Sequence, residues 1–235
     1  MKRSVLFLCV MTAYALACGT TEVKSTVDAS RPHLSATITF NTGLYKSMMF
    51  KKMYPTYALW VVDAKSGEAW TIYVTGKAGK ESWIMADERP SSVPVWYGTR
   101  GREKANEAAP VVDSVTSATP SGETFTHLWQ VPDGLMDRML NVYLEGNISF
   151  DYNDHYREEA KEGEAGYSDV NGQPSIIWSA ALKTGAKDAA VTPSIIGHGH
   201  VLGTDHKIDR DMSKVTTAKE IFSYIKISYS AGEKK

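Results

Sequence analysis

Cysteine is almost missing from this chain. Only Cys9 and Cys18 occur among its 235 residues, and both stand at the N-terminal start, so residues 19–235 can form no disulfide among themselves and supply no thiol nucleophile. An excess of basic charge is missing as well, since 26 Lys and Arg face 27 Asp and Glu. Without a basic face to neutralise phosphates, nucleic acid is not an expected partner. Glycine-rich phosphate loops and dinucleotide fingerprints are absent. So is the G-x-S-x-G turn that would raise a serine nucleophile. These gaps remove most enzyme classes that announce themselves by motif.

What stands at the N-terminus is an export pattern. Met1-Lys2-Arg3 is followed by a mostly apolar stretch from Val5 to Ala15 and then by Leu16-Ala17-Cys18-Gly19. A basic start, a short apolar core and small residues before a cut form a secretory signal, too short for a spanning helix. Small residues before Cys18 and Gly19 after it also resemble a bacterial lipobox, although Ala15 stands where leucine is usual and Leu16 falls one place late. The expected division is a signal peptide over 1–17, a lipid-modified Cys18, and a polar tether over 18–33. Acyl chains would tie such a protein to a membrane without a spanning segment. A plain signal with an incidental cysteine is the alternative. Either way the location is extracytoplasmic, as a membrane-anchored lipoprotein or a periplasmic protein. Loss of Lys2 and Arg3 with the leader leaves 24 basic residues against 27 acidic ones.

From residue 34 onward the dominant period is two. Leu34, Ala36, Ile38 and Phe40 alternate with Ser35, Thr37 and Thr39, the pattern of a strand with one buried face. Tyr57–Val62, Trp70–Val74 after a Lys65-Ser66-Gly67-Glu68 turn, Thr124–Trp129, Leu140–Phe150, Ser175–Leu182 and Ile221–Tyr229 repeat the theme. Gly146 is a candidate bulge, and Ser223 breaks the apolar face of the last segment. Seven or eight short strands with Gly and Pro punctuation predict an all-β antiparallel β-sandwich forming one domain over 34–235. Residues 154–164, strongly charged, and 82–109, which mix Trp83, Trp96 and Tyr97 with Pro and Gly, are the only stretches with helical potential. The second reads as a long, partly ordered loop insertion, a place where function concentrates. Of the six tryptophans, most suit the core, whereas Trp83 and Trp96 are expected to be exposed and able to stack on a flavin, a sugar or a partner protein.

Two constellations could carry chemistry. The first is Asp113-Ser114-Val115-Thr116-Ser117-Ala118-Thr119, followed by Pro120-Ser121-Gly122. It resembles the loop on which bacterial flavin transferases hang FMN through a phosphoester to the last hydroxyl. Asp113, Thr116, Ala118 and Thr119 fall on that pattern, with Thr119 as the acceptor, and Ser117 stands where the pattern has Gly. Glycine there permits φ > 0, which Ser adopts only at about 1 kcal/mol or more. The same residues also suit an Asx-type turn. The second constellation is Gly197-His198-Gly199-His200 with Asp205 and His206 close behind. In an extended segment the first two imidazoles share a face, so a Zn²⁺ or Cu²⁺ site with a third ligand from Asp205 or His206 is the expectation set against a Gly-rich turn. Asp151, Asn153 and Glu162 match calcium-loop spacing, but Tyr156 sits where the loop needs Gly.

A family resemblance rests on Thr39-Phe40-Asn41-Thr42-Gly43, the Trp60 and Tyr73 strands, Trp96 upstream of Asp113–Pro120, Trp129, the run Glu145-Gly146-Asn147-Ile148-Ser149-Phe150-Asp151-Tyr152-Asn153, and Asn171-Gly172-Gln173-Pro174-Ser175. Together they look like the bacterial periplasmic proteins catalogued as domain of unknown function 2271, over roughly 34–182 and more weakly to 229. The resemblance implies an immunoglobulin-like sandwich, an extracytoplasmic home and association with a flavin transferase or a membrane flavin-redox protein. The combined expectation is a non-enzymatic exported accessory or binding protein in flavin-linked redox traffic, with covalent FMN as the candidate cofactor. A metal-binding periplasmic protein using His198 and His200, and a carbohydrate- or protein-binding surface lipoprotein, are the alternatives.

Overall fold

The computed structural model describes residues 20–22, 27–48, 51–79, 82–83, 86–87, 90–99, 116–117 and 123–233. Eleven strands build two facing sheets: β1 (Thr20–Glu22), β2 (His33–Phe40), β3 (Thr56–Asp63), β4 (Ala69–Thr75), β5 (Thr116–Ser117), β6 (Thr124–Gln130), β7 (Met139–Asn147), β8 (Ile176–Lys183), β9 (Ala189–Val191), β10 (Ser194–His198) and β11 (Phe222–Ser230). The first sheet runs β1-β6-β2-β11-β9 and the second β10-β8-β7-β3-β4-β5. Pairing is antiparallel except where the short outer strands β1 and β5 lie parallel to β6 and β4. The chain is an all-β sandwich. No helix among the described residues is long and apolar enough to cross a membrane.

The period-two pattern explains the core. Leu34, Ile38 and Phe125 from the first sheet meet Leu59, Val61 and Leu144 from the second, all buried within one cluster. Each such side chain is worth about 1.5–3 kcal/mol on leaving water. Phe40 links the layers, its ring 5.4 Å from Tyr57 and 5.5 Å from Phe125, edge-on to both.

The outward faces differ. On the first sheet Thr37 and Thr126 (3.1 Å) and Thr39 and Thr124 (3.0 Å) form cross-strand hydroxyl pairs, half-buried on the face turned away from the core. On the second sheet the outward side chains Ala58, Trp60, Val74 and Ile177 form a second buried cluster with Ala78, Val93, Val95 and Trp96. The cover over that sheet therefore includes α2 (Pro94–Thr99) from the 82–109 insertion and α1 (Gly76–Gly79), which precedes it.

Several local expectations change. Gly146 is not a bulge, because β7 keeps unbroken register with both neighbours. Its missing side chain makes room for Phe222, whose ring lies 2.7 Å from where a Cβ would sit. The bulge falls instead between Phe222 and Tyr224, which turns Ser223 outward and explains its break in the apolar face. β7 ends at Asn147, and Phe150 takes φ +65° in the turn beyond it. Residues 154–164 form turns and bends without a helix. The short strands β9 and β10 carry no clear alternation, and Ser194 and Ile195 on the sheet edge are exposed.

Candidate functional site

Of the flavin-like loop, Thr116 and Ser117 lie within the described residues, while Asp113 and Thr119, like the lipidation candidate Cys18, lie outside them. Thr116 pairs with Val74 and Ser117 with Thr75, making β5 the outermost strand of the second sheet. Ser117 is thus in extended backbone, a conformation that serine adopts without strain. The conformational cost expected from having Ser in place of Gly does not arise in this arrangement.

The four residues expected to bind metal are not brought together. His198 Nδ1 lies 2.8 Å from the Gly199 carbonyl and Nε2 3.1 Å from that of Asp211. Both ring nitrogens thus face backbone carbonyl oxygens, and neither is turned toward the other three residues as a metal ligand would be. His200 Nδ1 accepts from the Leu202 amide at 3.2 Å and lies 3.0 Å from the Thr204 hydroxyl. Asp205 Oδ1 accepts from the Lys207 amide, and His206 Nδ1 donates to the Pro94 carbonyl at 2.9 Å. Among the described residues no three His, Cys, Asp or Glu side chains form a metal-holding group. The calcium spacing fails similarly. Buried Asp151 takes bonds from Gln173 Nε2 (2.8 Å) and Thr217 Oγ1 (2.7 Å) and pairs with Lys46 (3.3 Å). Asn153 Oδ1 instead accepts the His155 and Tyr156 amides in an Asx turn.

Trp96 corrects a further expectation. It is fully buried rather than exposed, with its indole N–H donating to Thr71 Oγ1 at 2.9 Å. The side chain of Trp83 lies outside the described residues. Trp96 has to be buried because α2 lies on the outward face of the second sheet, and what fixes α2 there is Glu145.

Glu145 belongs to β7 and points away from the sandwich core. Its Oε2 accepts from the Trp96 amide at 2.7 Å and its Oε1 from the Val95 amide at 3.2 Å. These are first-turn N–H groups that no carbonyl within α2 can satisfy, and Pro94 at the first helical position has no N–H to satisfy. The Ser175 hydroxyl donates to Oε1 at 2.7 Å. The carboxyl is completely buried. Burial raises its pKa; the Trp96, Ser175 and Val95 bonds oppose that, and the balance stands at about 7. Two glycines permit the close fit. A Cβ on Gly199 would sit 2.6 Å from both Pro94 Cγ and Ser175 Oγ, and one on Gly98 would sit 2.2 Å from His206 Cβ.

A second buried ionisable group faces the inner side of the second sheet from the first sheet. His127 of β6 stacks on Tyr73 at 4.1 Å, and its Nε2 is 2.9 Å from the Tyr57 hydroxyl. Burial holds the imidazole down at about 3 and the Tyr57 phenol well above its ordinary value. His127 is therefore neutral at physiological pH, filling the inter-sheet space as a polar core residue. Neither group was singled out from sequence. For Glu145 the available signal was an acid on the outward register of a central strand, with the apolar run Val93-Pro94-Val95-Trp96 free to cover it. Comparison with protein-family models, with curated proteins and with solved structures found no match to this chain.

Proposed function

We propose that this protein is a non-enzymatic, exported accessory module, lipid-anchored through Cys18, whose working segment is the insertion between β4 and β6. In this reading the Asp113–Thr119 loop presents Thr119 to a flavin transferase. The transferase would split the pyrophosphate of FAD, joining FMN to the threonine oxygen and releasing AMP. The relation to the immunoglobulin-like periplasmic family, and a membrane flavin-redox protein as the partner, belong to the same proposal.

The observation that supports it most is the placement of Thr116 and Ser117 on the outermost strand of the second sheet. An acceptor hydroxyl has to enter another enzyme's site, and a loop that leaves a sheet edge is open to such an approach while its base stays fixed. The extended backbone at Ser117 favours the reading as well, since Ser at that position is unstrained. A supporting consideration is that buried acids such as Asp63 and Asp151 are engaged in ion pairs and hydrogen bonds within the fold. Asp63, for example, is held by Arg138 at 2.6 Å and by Ser66 at 2.8 Å.

The test is co-expression with a flavin transferase in a periplasm, read by intact mass and visible absorbance. A yellow protein heavier by one FMN less water, with the label abolished by Thr119→Ala, is the expected result. Unlabelled wild type together with unlabelled Ser117→Gly would overturn the proposal. Label confined to the Ser117→Gly variant would mean that the transferase itself requires Gly, and that this chain keeps the scaffold without the flavin.

A further inference from the structure

Glu145 makes an unusual set of contacts for a buried acid. Among the described residues no cation bonds to it; its partners are two backbone amides of α2 and the hydroxyl of Ser175, just before β8. These three bonds tie together β7, the start of β8 and the first turn of the helix that covers the second sheet. α2 is also tied through the Trp96 indole to Thr71 and through the Pro94 carbonyl to His206. We infer that Glu145 is a proton-controlled clasp that holds α2 down on the outward face of the second sheet and loosens it as the carboxyl ionises. The inference goes beyond the proposed function and stands whether or not Thr119 carries flavin.

The chemistry of the two protonation states makes the clasp directional. As a neutral acid, Glu145 can accept from the Trp96 amide on one oxygen and donate from the other to Ser175 Oγ, whose hydroxyl rotates to receive it. The Val95 amide and the proton of the Ser175 hydroxyl give up their shared acceptor, but no charge is buried. As a carboxylate it keeps three donors but holds a full charge in an apolar setting, among Trp96, Val95, Ala58 and Ile177. Once α2 lifts, water reaches the carboxyl and its pKa returns toward the ordinary 4.5. Closing therefore takes up a proton at any pH between that value and about 7. The sign follows: the contribution to closure is complete below pH 4.5 and is lost as pH rises through about 7. A displacement of that size corresponds to a closing constant that falls on the order of a hundredfold between the two ends of the window.

Other ionisable groups lie on the elements packed around the clasp. Tyr143 is on β7 itself, Tyr97 on α2, and His198, His200 and His206 on β10 and the loop after it. None of them bonds to the carboxylate, and its shift has no Coulombic cause from any charged neighbour. His206 does reach α2 through Pro94, so a variant without its imidazole serves as the control for Glu145.

Hydrogen exchange followed by mass spectrometry on the full chain provides the test, from pH 5 to 8 and corrected for intrinsic base catalysis. Protection of the Val95–Thr99 amides is expected to fall about a hundredfold across that range, while the amides of β7 and β8 hold steady. Glu145→Gln copies the neutral acid, with its amide nitrogen facing Ser175 and its oxygen facing Trp96, so its profile should be flat and closed at every pH. Ser175→Ala removes a bond that lowers the pKa and should move the wild-type midpoint upward. His206→Gln should leave the midpoint in place. A protonated-carboxyl band in the infrared difference spectrum that disappears near neutrality, and is missing from Glu145→Gln, identifies the titrating group even if a variant folds poorly. A wild-type profile that is flat across the range, or that Glu145→Gln reproduces, overturns the inference.

Discussion

The two faces of the second sheet are built from the same strands and behave as opposites. Its inner face packs against the first sheet, so the residues that bury it come from strands distant in sequence, joined by continuous hydrogen-bonded registers. Its outer face is covered in large part by Val93–Trp96, pinned at the start of α2. A buried ionisable group lies against each face, His127 of the facing β6 on the inner side and Glu145 on the outer, and these two respond to pH in opposite senses. His127 on the inner side is held down at about 3, so it supports folding above its ordinary pKa near 6.5, and that support is lost as pH falls toward 3. Glu145 on the outer side is raised to about 7, so its support is complete in acid and lost as pH rises. The lesson is that burial alone does not define a core. The inner layer should come apart with the whole protein, whereas the outer layer can open alone.

The largest effect expected from breaking this contrast is Phe125→Ala. The side chain is fully buried and inward, and truncating such a group costs about 3–5 kcal/mol. Denaturation followed by far-ultraviolet circular dichroism should show the whole transition move. Trp96→Ala removes as much buried surface on the other side of the sheet, yet it should chiefly raise protease susceptibility within 76–122, with a smaller shift in the melt of the sheets. Equal shifts for the two variants would erase the distinction between the layers.

Next in size is the removal of Arg138. Its guanidinium bonds to Asp63, which is almost completely buried. Burial pushes that carboxyl up, but bonds from Ser66, Lys65 and Arg138 outweigh it and hold the pKa below its ordinary value. Leaving such a charge without its cation costs about 3–5 kcal/mol at the upper end. Arg138→Met should therefore lower the melting temperature most at neutral pH, and the difference from wild type should shrink in acid as Asp63 protonates. His127→Gln gives a subtler change. Chemical denaturation at pH 7 and pH 4 should show the variant losing less stability on acidification than wild type, because the imidazole that must charge on unfolding is gone. An unchanged difference between the two pH values would remove His127 from the acid response. At the small end, Thr37→Val on the outward hydroxyl ladder of the first sheet should alter stability by no more than about 0.5 kcal/mol, since water can replace the Thr126 contact.

The sequence made the inner layer legible. Alternation in Leu34–Phe40, Thr124–Trp129 and Leu140–Leu144 assigns those strands and their inward residues directly, because a half-buried strand has to alternate. Alternation says nothing about what lies beyond the other face. For the first sheet the outward Thr and Ser residues are indeed uncovered by a second apolar cluster. For the second sheet Ala58, Trp60 and Val62 on one register and Tyr57, Leu59 and Val61 on the other give a run that is apolar on both faces, the usual mark of a strand buried on both sides, yet the cover in residues 93–97 lies in a segment whose Pro and Gly hide its periodicity. Glu145 escaped notice for the same reason: an acid on the outward register reads as solvated until the helix that it caps is placed above it. The histidine cluster failed differently. Spacing alone put His198 and His200 on one face, but the chain leaves β10 at His198, and nearby carbonyls and amides engage the ring nitrogens first.

The separateness of the outer layer can be measured by native-state hydrogen exchange at pH 8 in increasing urea, following Val95–Thr99 alongside the β3–β7 ladder. The Val95–Thr99 amides should exchange through an opening with a lower free energy and a weaker urea dependence than the ladder, because only the cover lifts. If both sets merge onto one isotherm with the same urea dependence from the lowest concentration upward, the insertion is part of the sandwich core and the contrast between the two faces does not exist.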